Sequence, residues 1–256
     1  MEEKMAILVL GRDQTSKLVY LTSYFMDKYW SDRKFRLVLC TQTSVPGGVN
    51  YDQVICAGAE TVWSDRLKIA VKAIQAEYIL FTSEDFFLKD FVEPGLMESY
   101  LEKMDSEKIV SAIKLTPSKN FIEKYDDQYN CIKKGAPYRV CVQPTIFKRD
   151  YLLALAEKNY TPWQFEVDGS EYSSLLEGEV LVVRKNEYNC VHAWGKGAWT
   201  REAVSLFKKE KIDRRLYEND PIYPILRYIV DFVWSIVFRW FPHFFTDYSK
   251  KKNRQN

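Results

Sequence analysis

The sequence predicts an α/β protein with an open, mixed sheet flanked by helices and an amphipathic helical extension at the C-terminal end. Three observations carry this reading. Residues 6–10 and 78–81 are short, continuous apolar runs and residues 35–40 an apolar run broken only by Arg36, the pattern of strands covered on both faces. Between them lie segments whose apolar residues recur at helical spacing. The chain has 256 residues, 46% of them hydrophobic and 28% charged, a balance that fits a globular core rather than a disordered or fibrous chain.

The first run, Ala6-Ile7-Leu8-Val9-Leu10, ends at Gly11, and Arg12, Asp13 and Gln14 form a polar loop after it. Residues 15–30 read as a helix with Leu18, Leu21 and Phe25 on one face. The second run ends in Thr41-Gln42, a turn-rich stretch follows around Pro46-Gly47-Gly48, and residues 54–58 make a third strand. Ser64-Asp65 opens a helix, with Ser64 as its cap and Asp65 at its positive end. Leu67, Ala70, Val71 and Ile74 form that helix's buried stripe, and it feeds the strand at 78–81.

The order β-α-β-β-α-β argues a largely parallel first half, and right-handed crossovers place the C-terminal ends of its strands on one edge. Arg12, Asp13, Thr41, Gln42 and Ser83-Glu84-Asp85 then share a rim, where open α/β sheets bind ligands. Further on, the pattern predicts a helix over 93–103, a strand over 109–115 and a polar loop or hairpin over 117–135. A short strand over 139–142, a helix over 148–158 and strands over 180–183 and 188–191 follow. No linker interrupts the first 215 residues, so the expected organisation is one domain over 1–215 and a C-terminal segment over 216–256.

Net charge is only +2, which argues against a broad field for nucleic acid. The five cysteines, Cys40, Cys56, Cys131, Cys141 and Cys190, are widely spaced with no CxxC pair, and they read as free thiols in a reducing compartment. The N-terminus leads straight into a strand without a leader pattern, so a cytoplasmic location is expected and the Asn159-Tyr160-Thr161 sequon is expected to stay unglycosylated.

Three constellations can carry chemistry. Ser83-Glu84-Asp85 ends a buried strand: Asp85 suits Mn²⁺ or Mg²⁺ as a hard oxygen ligand, although acidic strand ends also serve as plain surface punctuation. Glu166, Asp168 and Glu171 stand among Trp163 and Phe165, where a carboxylate can gain the proton affinity of a general base; a turn at Asp168-Gly169 is the bland alternative. His192 follows an apolar run and precedes Gly195-Lys196-Gly197, so that an imidazole and the Lys196 ammonium can face a metal and a phosphate, or simply end a strand. No phosphate-binding P-loop, GxGxxG, GxSxG or HExxH motif occurs.

Taken together, this order of motifs resembles the GT-A fold glycosyltransferases, and among them the bacterial enzymes that build capsule, O-antigen and other surface polysaccharides. The resemblance covers about residues 5–200 and includes Gln143-Pro144-Thr145-Ile146-Phe147 and Trp163-Gln164-Phe165-Glu166. It implies a Rossmann-like fold in which Ser83-Glu84-Asp85 stands where the family has its DxD-type motif, with Ser83 in place of the first acid. It further implies Glu166 as the catalytic base of an inverting transfer, with Asp168 as the less favoured choice, and His192 beside Asp85 as metal ligands for Mn²⁺ or Mg²⁺. Gly11, Arg12, Asp13, Arg66, Ser83, Glu84, Asp85 and Lys196 would contact a nucleotide-sugar donor, a UDP-sugar as first choice, and a polyprenyl-linked oligosaccharide would accept the sugar. For Arg66 a plain surface charge on its helix is an equal alternative. Two other readings share the features: a nucleotide-sugar-binding scaffold subunit without activity, which Ser83 favours, and a sugar nucleotidyltransferase, which would want a longer glycine-rich loop than Gly11-Arg12-Asp13.

Residues 221–245 are apolar and aromatic, with Arg227, Asp231, Ser235 and Arg239 in one narrow helical stripe. Charges interrupt the run too often for a spanning helix. A helix lying on the inner face of the cell membrane, with Lys250, Lys251, Lys252 and Arg254 drawn to anionic lipid, is one expectation, and packing on the domain or against a second copy of the chain is the other. His243 falls within this segment's aromatic packing.

Overall fold

A computed structural model of the chain describes residues 3–240. It divides into two compact units between His192 and Ala193. The first begins as expected: β1 (Met5–Leu10), α1 (Ser16–Tyr29), β2 (Arg36–Thr41), β3 (Gln53–Cys56), α2 (Trp63–Ala73) and β4 (Tyr78–Ser83). Every residue of β1 and β4 is buried, because helices cover both faces of the sheet. The unit continues with β5 (Phe86–Leu88), α3 (Leu96–Ser106), β6 (Val110–Lys114), β7 (Ile122–Lys124), β8 (Tyr129–Ile132), β9 (Thr145–Lys148), α4 (Arg149–Ala156), α5 (Pro162–Ser173), β10 (Glu179–Val183) and β11 (Cys190–His192).

Nine strands form one mixed sheet in the order β3-β2-β1-β4-β9-β6-β10-β8-β7. The first four are mutually parallel. β9 runs antiparallel between β4 and β6, so β6 points the same way as β4, and β10 runs parallel to β6. The fold is therefore an open, Rossmann-like mixed sheet flanked by helices. The carboxyl ends of β1, β2, β4, β6 and β10 share one rim, together with the start of β9. Alternate residues, among them Leu8, Leu10, Val38, Phe81, Phe147 and Val182, pack with Trp63 and Leu67 of α2, Leu152 of α4 and Phe165 of α5 in one core.

Several boundaries differ from the sequence reading, each for a local reason. Ser64 does not cap α2: the helix starts at Trp63, two residues earlier than a Ser64 cap would set it, Asp65 accepts a hydrogen bond from the Val62 amide, and the Ser64 hydroxyl is buried. α3 begins at Leu96 rather than 93, after Gly95 takes φ +81° at its N-cap. Residues 139–142 are not a strand. There the Ser170 hydroxyl bonds both the amide and the carbonyl of Val140, which ties this segment to α5, and the ladder position between β4 and β6 goes to β9. Residues 117–135 do form the hairpin β7–β8.

The second unit holds β12 (Trp194–Gly195), β13 (Ala198–Trp199), α6 (Arg201–Lys209) and α7 (Ile225–Trp240). β12 and β13 are joined by a two-residue turn with φ +50° at Lys196 and +79° at Gly197, the left-handed pair that closes a tight hairpin. Trp199 gathers the unit: its amide bonds Pro221, its carbonyl accepts from Tyr223, and its indole N–H donates to Asp220. These bonds explain why the boundary lies at 192/193 rather than near 215: the 193–215 stretch is knitted to residues 217–231. Among the described residues no helix is long and apolar enough to cross a membrane. α7 is amphipathic as expected, with Ile225, Leu226, Ile229 and Val233 exposed and Asp231 turned to Lys196 and Tyr223. Residues 241–256, including His243 and the basic cluster at 250–254, lie outside the described residues.

Candidate functional site

The site is built at the end of β4, where the strand passes Ser83, Glu84 and Asp85 onto the rim. Asp85 is held on two sides. The Ser83 hydroxyl donates to Asp85 Oδ1, and His192 Nε2 lies 3.0 Å from Asp85 Oδ2. A short antiparallel pairing brings the histidine there from 107 residues away: β5 pairs with β11, placing His192 opposite Phe86. The Phe86 and His192 rings stack at 5.0 Å, which fixes the imidazole plane. Burial pulls the His192 imidazolium down, but the hydrogen bond and charge of Asp85, joined by Glu166, raise it above its ordinary value.

Glu166 reaches the same place through a peptide. The Val142 amide donates to Glu166 Oε1 at 3.2 Å, and the Val142 carbonyl accepts from the Ser83 amide at 3.2 Å. Thus α5, the 136–144 segment and β4 are hydrogen-bonded in series. Thr161 positions the helix by accepting from the Gln164 amide while the Gln164 side chain accepts from the Thr161 amide, a capping box with Pro162 in the first turn. Burial raises the Glu166 carboxyl above the usual carboxylate range, against the Val142 amide and the charges of Lys114 and His192. Asp168, about 200° further round α5, has its charge on the Tyr160 phenol instead. The bland alternative for this segment, a turn at Asp168-Gly169, is not what forms: both residues are inside the helix.

Glu84 is turned inward. Thr15 Oγ1 lies 2.8 Å from its Oε1, and the Thr22 hydroxyl donates to its carbonyl. Burial first, then the Asp85 charge, lift its carboxyl to about 7, with Thr15 opposing. A carboxyl raised in the folded state contributes stability that is complete below the unfolded value and is lost as pH climbs to the folded one. Glu84→Gln is therefore expected to be more stable than the parent by about 3 kcal/mol at pH 8, given a folded value of about 7. The gap should close below about pH 4.5; parallel thermal melts at pH 4 and 8 measure it, and equal melting points at pH 8 would refute the inward, neutral carboxyl.

The start of the rim is organised by Asp13, which the sequence reading gave to the donor. Its carboxylate accepts from the Thr41 hydroxyl, the amide and hydroxyl of Thr43 and the Ser44 amide, and these bonds hold it far below the usual carboxylate range. Asp13 thus clamps the loop after β1 to the loop after β2. Gly11 permits the close approach of β1 to α1: a Cβ there would lie 2.7 Å from Val19 Cγ2. Arg12 is exposed and its charge acts on Glu84 and Arg66. Arg66 is not a surface charge. It is only 3% exposed, donates to the Thr61 carbonyl, and its Nε has no hydrogen-bond partner among the described residues. Burial lowers its proton affinity, while Glu84 and Asp13 act to raise it, so the guanidinium sits among the rim's charges. Lys196 belongs to the second unit, where its ammonium pairs with Asp231 at 2.8 Å.

Lys114 was not foreseen. It ends β6 on the same rim, is 6% exposed, and donates to the Tyr138 carbonyl at 3.1 Å. A lysine closing an apolar strand is the only sequence signal for it, and that pattern ordinarily reads as a solvated strand end. As to metal, Asp85 and His192 offer one carboxylate oxygen and one imidazole nitrogen, a donor set compatible with Mn²⁺. Among the described residues no group of three or more metal-ligating side chains forms. An ion here would rest on these two donors, with its remaining positions open to phosphate and water.

No family model matches the sequence, and no curated protein matches it. Solved structures do. Residues 1–349 of Staphylococcus aureus TarS align at 12% identity with a TM-score of 0.46, over 72% of this chain and 59% of that one. A cytidylyltransferase from Leptospira borgpetersenii aligns at 14% identity with a TM-score of 0.45, over 87% of this chain and all of that one. The bifunctional IspDF from Campylobacter jejuni aligns at 14% with a TM-score of 0.40, over 74% of this chain and 52% of that one. The chain thus spans little more than half of the TarS fragment, and at these scores the likenesses bear on neither activity nor substrate.

Proposed function

We propose that the chain is a glycosyltransferase that moves a sugar from a nucleotide-sugar donor, a UDP-sugar first, to a saccharide acceptor carried on a polyprenyl lipid in surface-polysaccharide assembly. The observation that supports it is the convergence of Asp85, His192 and Glu166 on one rim of the sheet, through the β5–β11 pairing and the Val142 peptide. Glu166 accepts the proton of the acceptor hydroxyl; the oxygen attacks the anomeric carbon, and the bond to the donor's diphosphate breaks with inversion. Asp85 and His192 would hold Mn²⁺ or Mg²⁺, which when bound offsets the charge of the departing diphosphate. Arg12 and Arg66 place positive charge along the same rim, and the Asp13 clamp keeps its loops in position.

A panel of nucleotide sugars, assayed with and without Mn²⁺, tests the reading. Binding of at least one of them and its Mn²⁺-dependent turnover are expected, and Asp85→Ala should lower that turnover roughly a hundredfold or more. A protein that binds none of them by calorimetry is not a glycosyltransferase. Peripheral membrane attachment through α7, whose Ile225, Leu226, Ile229 and Val233 are exposed, and the basic residues 250–254 belongs to the same proposal. Co-sedimentation with anionic vesicles should vanish when residues 225–256 are removed, and undiminished binding would refute it.

A further inference from the structure

The 136–144 segment has no helix or strand, and the site is hung on it. Tyr138 takes φ +57°, a left-handed conformation that costs energy in a residue other than glycine or asparagine. Its carbonyl is held by the buried Lys114 ammonium at 3.1 Å. Four residues on, the Val142 amide holds Glu166 and the Val142 carbonyl holds Ser83. Lys114 and β4 are in register through β9: Lys114 pairs with Thr145, and Thr145 pairs with Phe81. Lys114 thus stands level with Phe81, two residues before the end of β4.

A buried ammonium that does nothing is costly, since its desolvation is repaid only by partners. One carbonyl is a small return. The buried Cys141 thiol, also hydrogen-bonded to the ammonium, is a second partner, and the Glu166 carboxyl is the third. Among the charged groups acting on that carboxyl, Lys114 on β6 is the strongest, ahead of His192 on β11 and Asp85 after β4. The Tyr138 phenol and the Cys141 thiol also feel Glu166. Burial works toward a neutral Glu166, and a neutral carboxyl cannot accept a proton.

We infer that Lys114 is a positioning residue for Glu166, pinning the strained 136–144 segment through the Tyr138 carbonyl and supplying the cation that keeps the Glu166 carboxylate charged and ready to accept a proton. This rests on Glu166 being the base in the proposed transfer. It assigns a task to a residue that touches neither donor nor metal ligands.

Two measurements separate the inference from the reaction it serves. In the first, ¹³C-carboxyl NMR of glutamate-labelled protein follows the titration of Glu166, whose signal is identified by its absence in Glu166→Gln. In Lys114→Met the midpoint is expected to move to higher pH, and Lys114→Arg should restore it. Lys114→Gln keeps a donor for the Tyr138 carbonyl without the charge; it should behave as Lys114→Met, and it serves if Lys114→Met does not fold. In the second, turnover of whichever nucleotide sugar the panel identifies is followed against pH. The acid limb should shift upward together with the NMR midpoint in the neutral variants. A Glu166 midpoint unchanged in a folded neutral variant overturns the electrostatic role. A midpoint that moves while the pH profile stays fixed overturns Glu166 as the base, and with it the positioning role, while leaving the transfer reaction itself standing.

Discussion

Glu166→Gln is expected to lower turnover roughly 10²- to 10⁴-fold, the range of a lost general base, with nucleotide-sugar affinity unchanged. The substitution is nearly isosteric. The Gln164 and Thr161 capping contacts are untouched, and an amide oxygen at the Glu166 position still accepts from the Val142 amide, so the 136–144 segment stays on α5. Only the proton acceptor is removed. Burial raises the carboxyl in the folded state, so ionised Glu166 is a liability for folding above its usual range and an asset only for chemistry. The variant should therefore melt no lower than the parent at pH 8 while losing activity, the signature of a residue kept for function. The parent's turnover should fall on acidification at a pH above the ordinary carboxylate range. Steady-state kinetics at saturating donor, with a thermal melt of the same samples, check both parts. Activity within threefold of the parent would remove Glu166 from the mechanism.

How much of this was legible in the sequence depends on contact range. The rim could be read because its parts lie at the ends of apolar runs: Leu10 before Gly11, Cys40 before Thr41, Phe81 before Ser83. Local pattern specifies a buried strand, and the right-handed crossover rule does the rest. The β5–β11 pairing could not be read, since each strand has three residues and Phe86-Phe87-Leu88 looks like any aromatic patch. What fixes it is the packing of Phe87 on Phe25 and of Phe86 on His192, contacts between residues distant in sequence. Residues 139–142 misled for the opposite reason. Val140, Cys141 and Val142 have strand propensity, but propensity only describes a surface that fits a pleat, and here the partner is the Ser170 hydroxyl on α5. α6 was legible and missed: Thr200 caps it by accepting from the Ala203 amide, and Ala203, Val204, Leu206 and Phe207 give its buried face.

The same misread stretch contains the residue with the largest expected effect on stability. Arg139, which the sequence pattern places first in a strand, has no exposed surface. Its Nε donates to the Ile132 carbonyl; one terminal nitrogen lies 3.0 Å from the Tyr151 hydroxyl and 3.2 Å from both the carbonyl and the hydroxyl of Ser173; the other donates to the Gly178 carbonyl at 3.0 Å. One planar group thus ties β8, α4, α5 and the loop before β10. That loop has no slack, because Gly178 has φ +117° and a Cβ on it would meet Ser111 Oγ at 1.9 Å. Arg139→Met fills a similar volume but leaves several buried acceptors without donors. It is expected to cost about 3–5 kcal/mol, most of the stability of a marginal domain. Arg139→Lys should recover little, since a single ammonium cannot reach partners that the guanidinium fork meets on opposite sides. In urea the midpoint should fall with an unchanged slope, reporting lost stability rather than a changed unfolded state. A loss below about 1 kcal/mol in Arg139→Met would mean that water or local movement satisfies those acceptors, and that the fork does not hold the 136–144 segment, Val142 included, beneath Glu166.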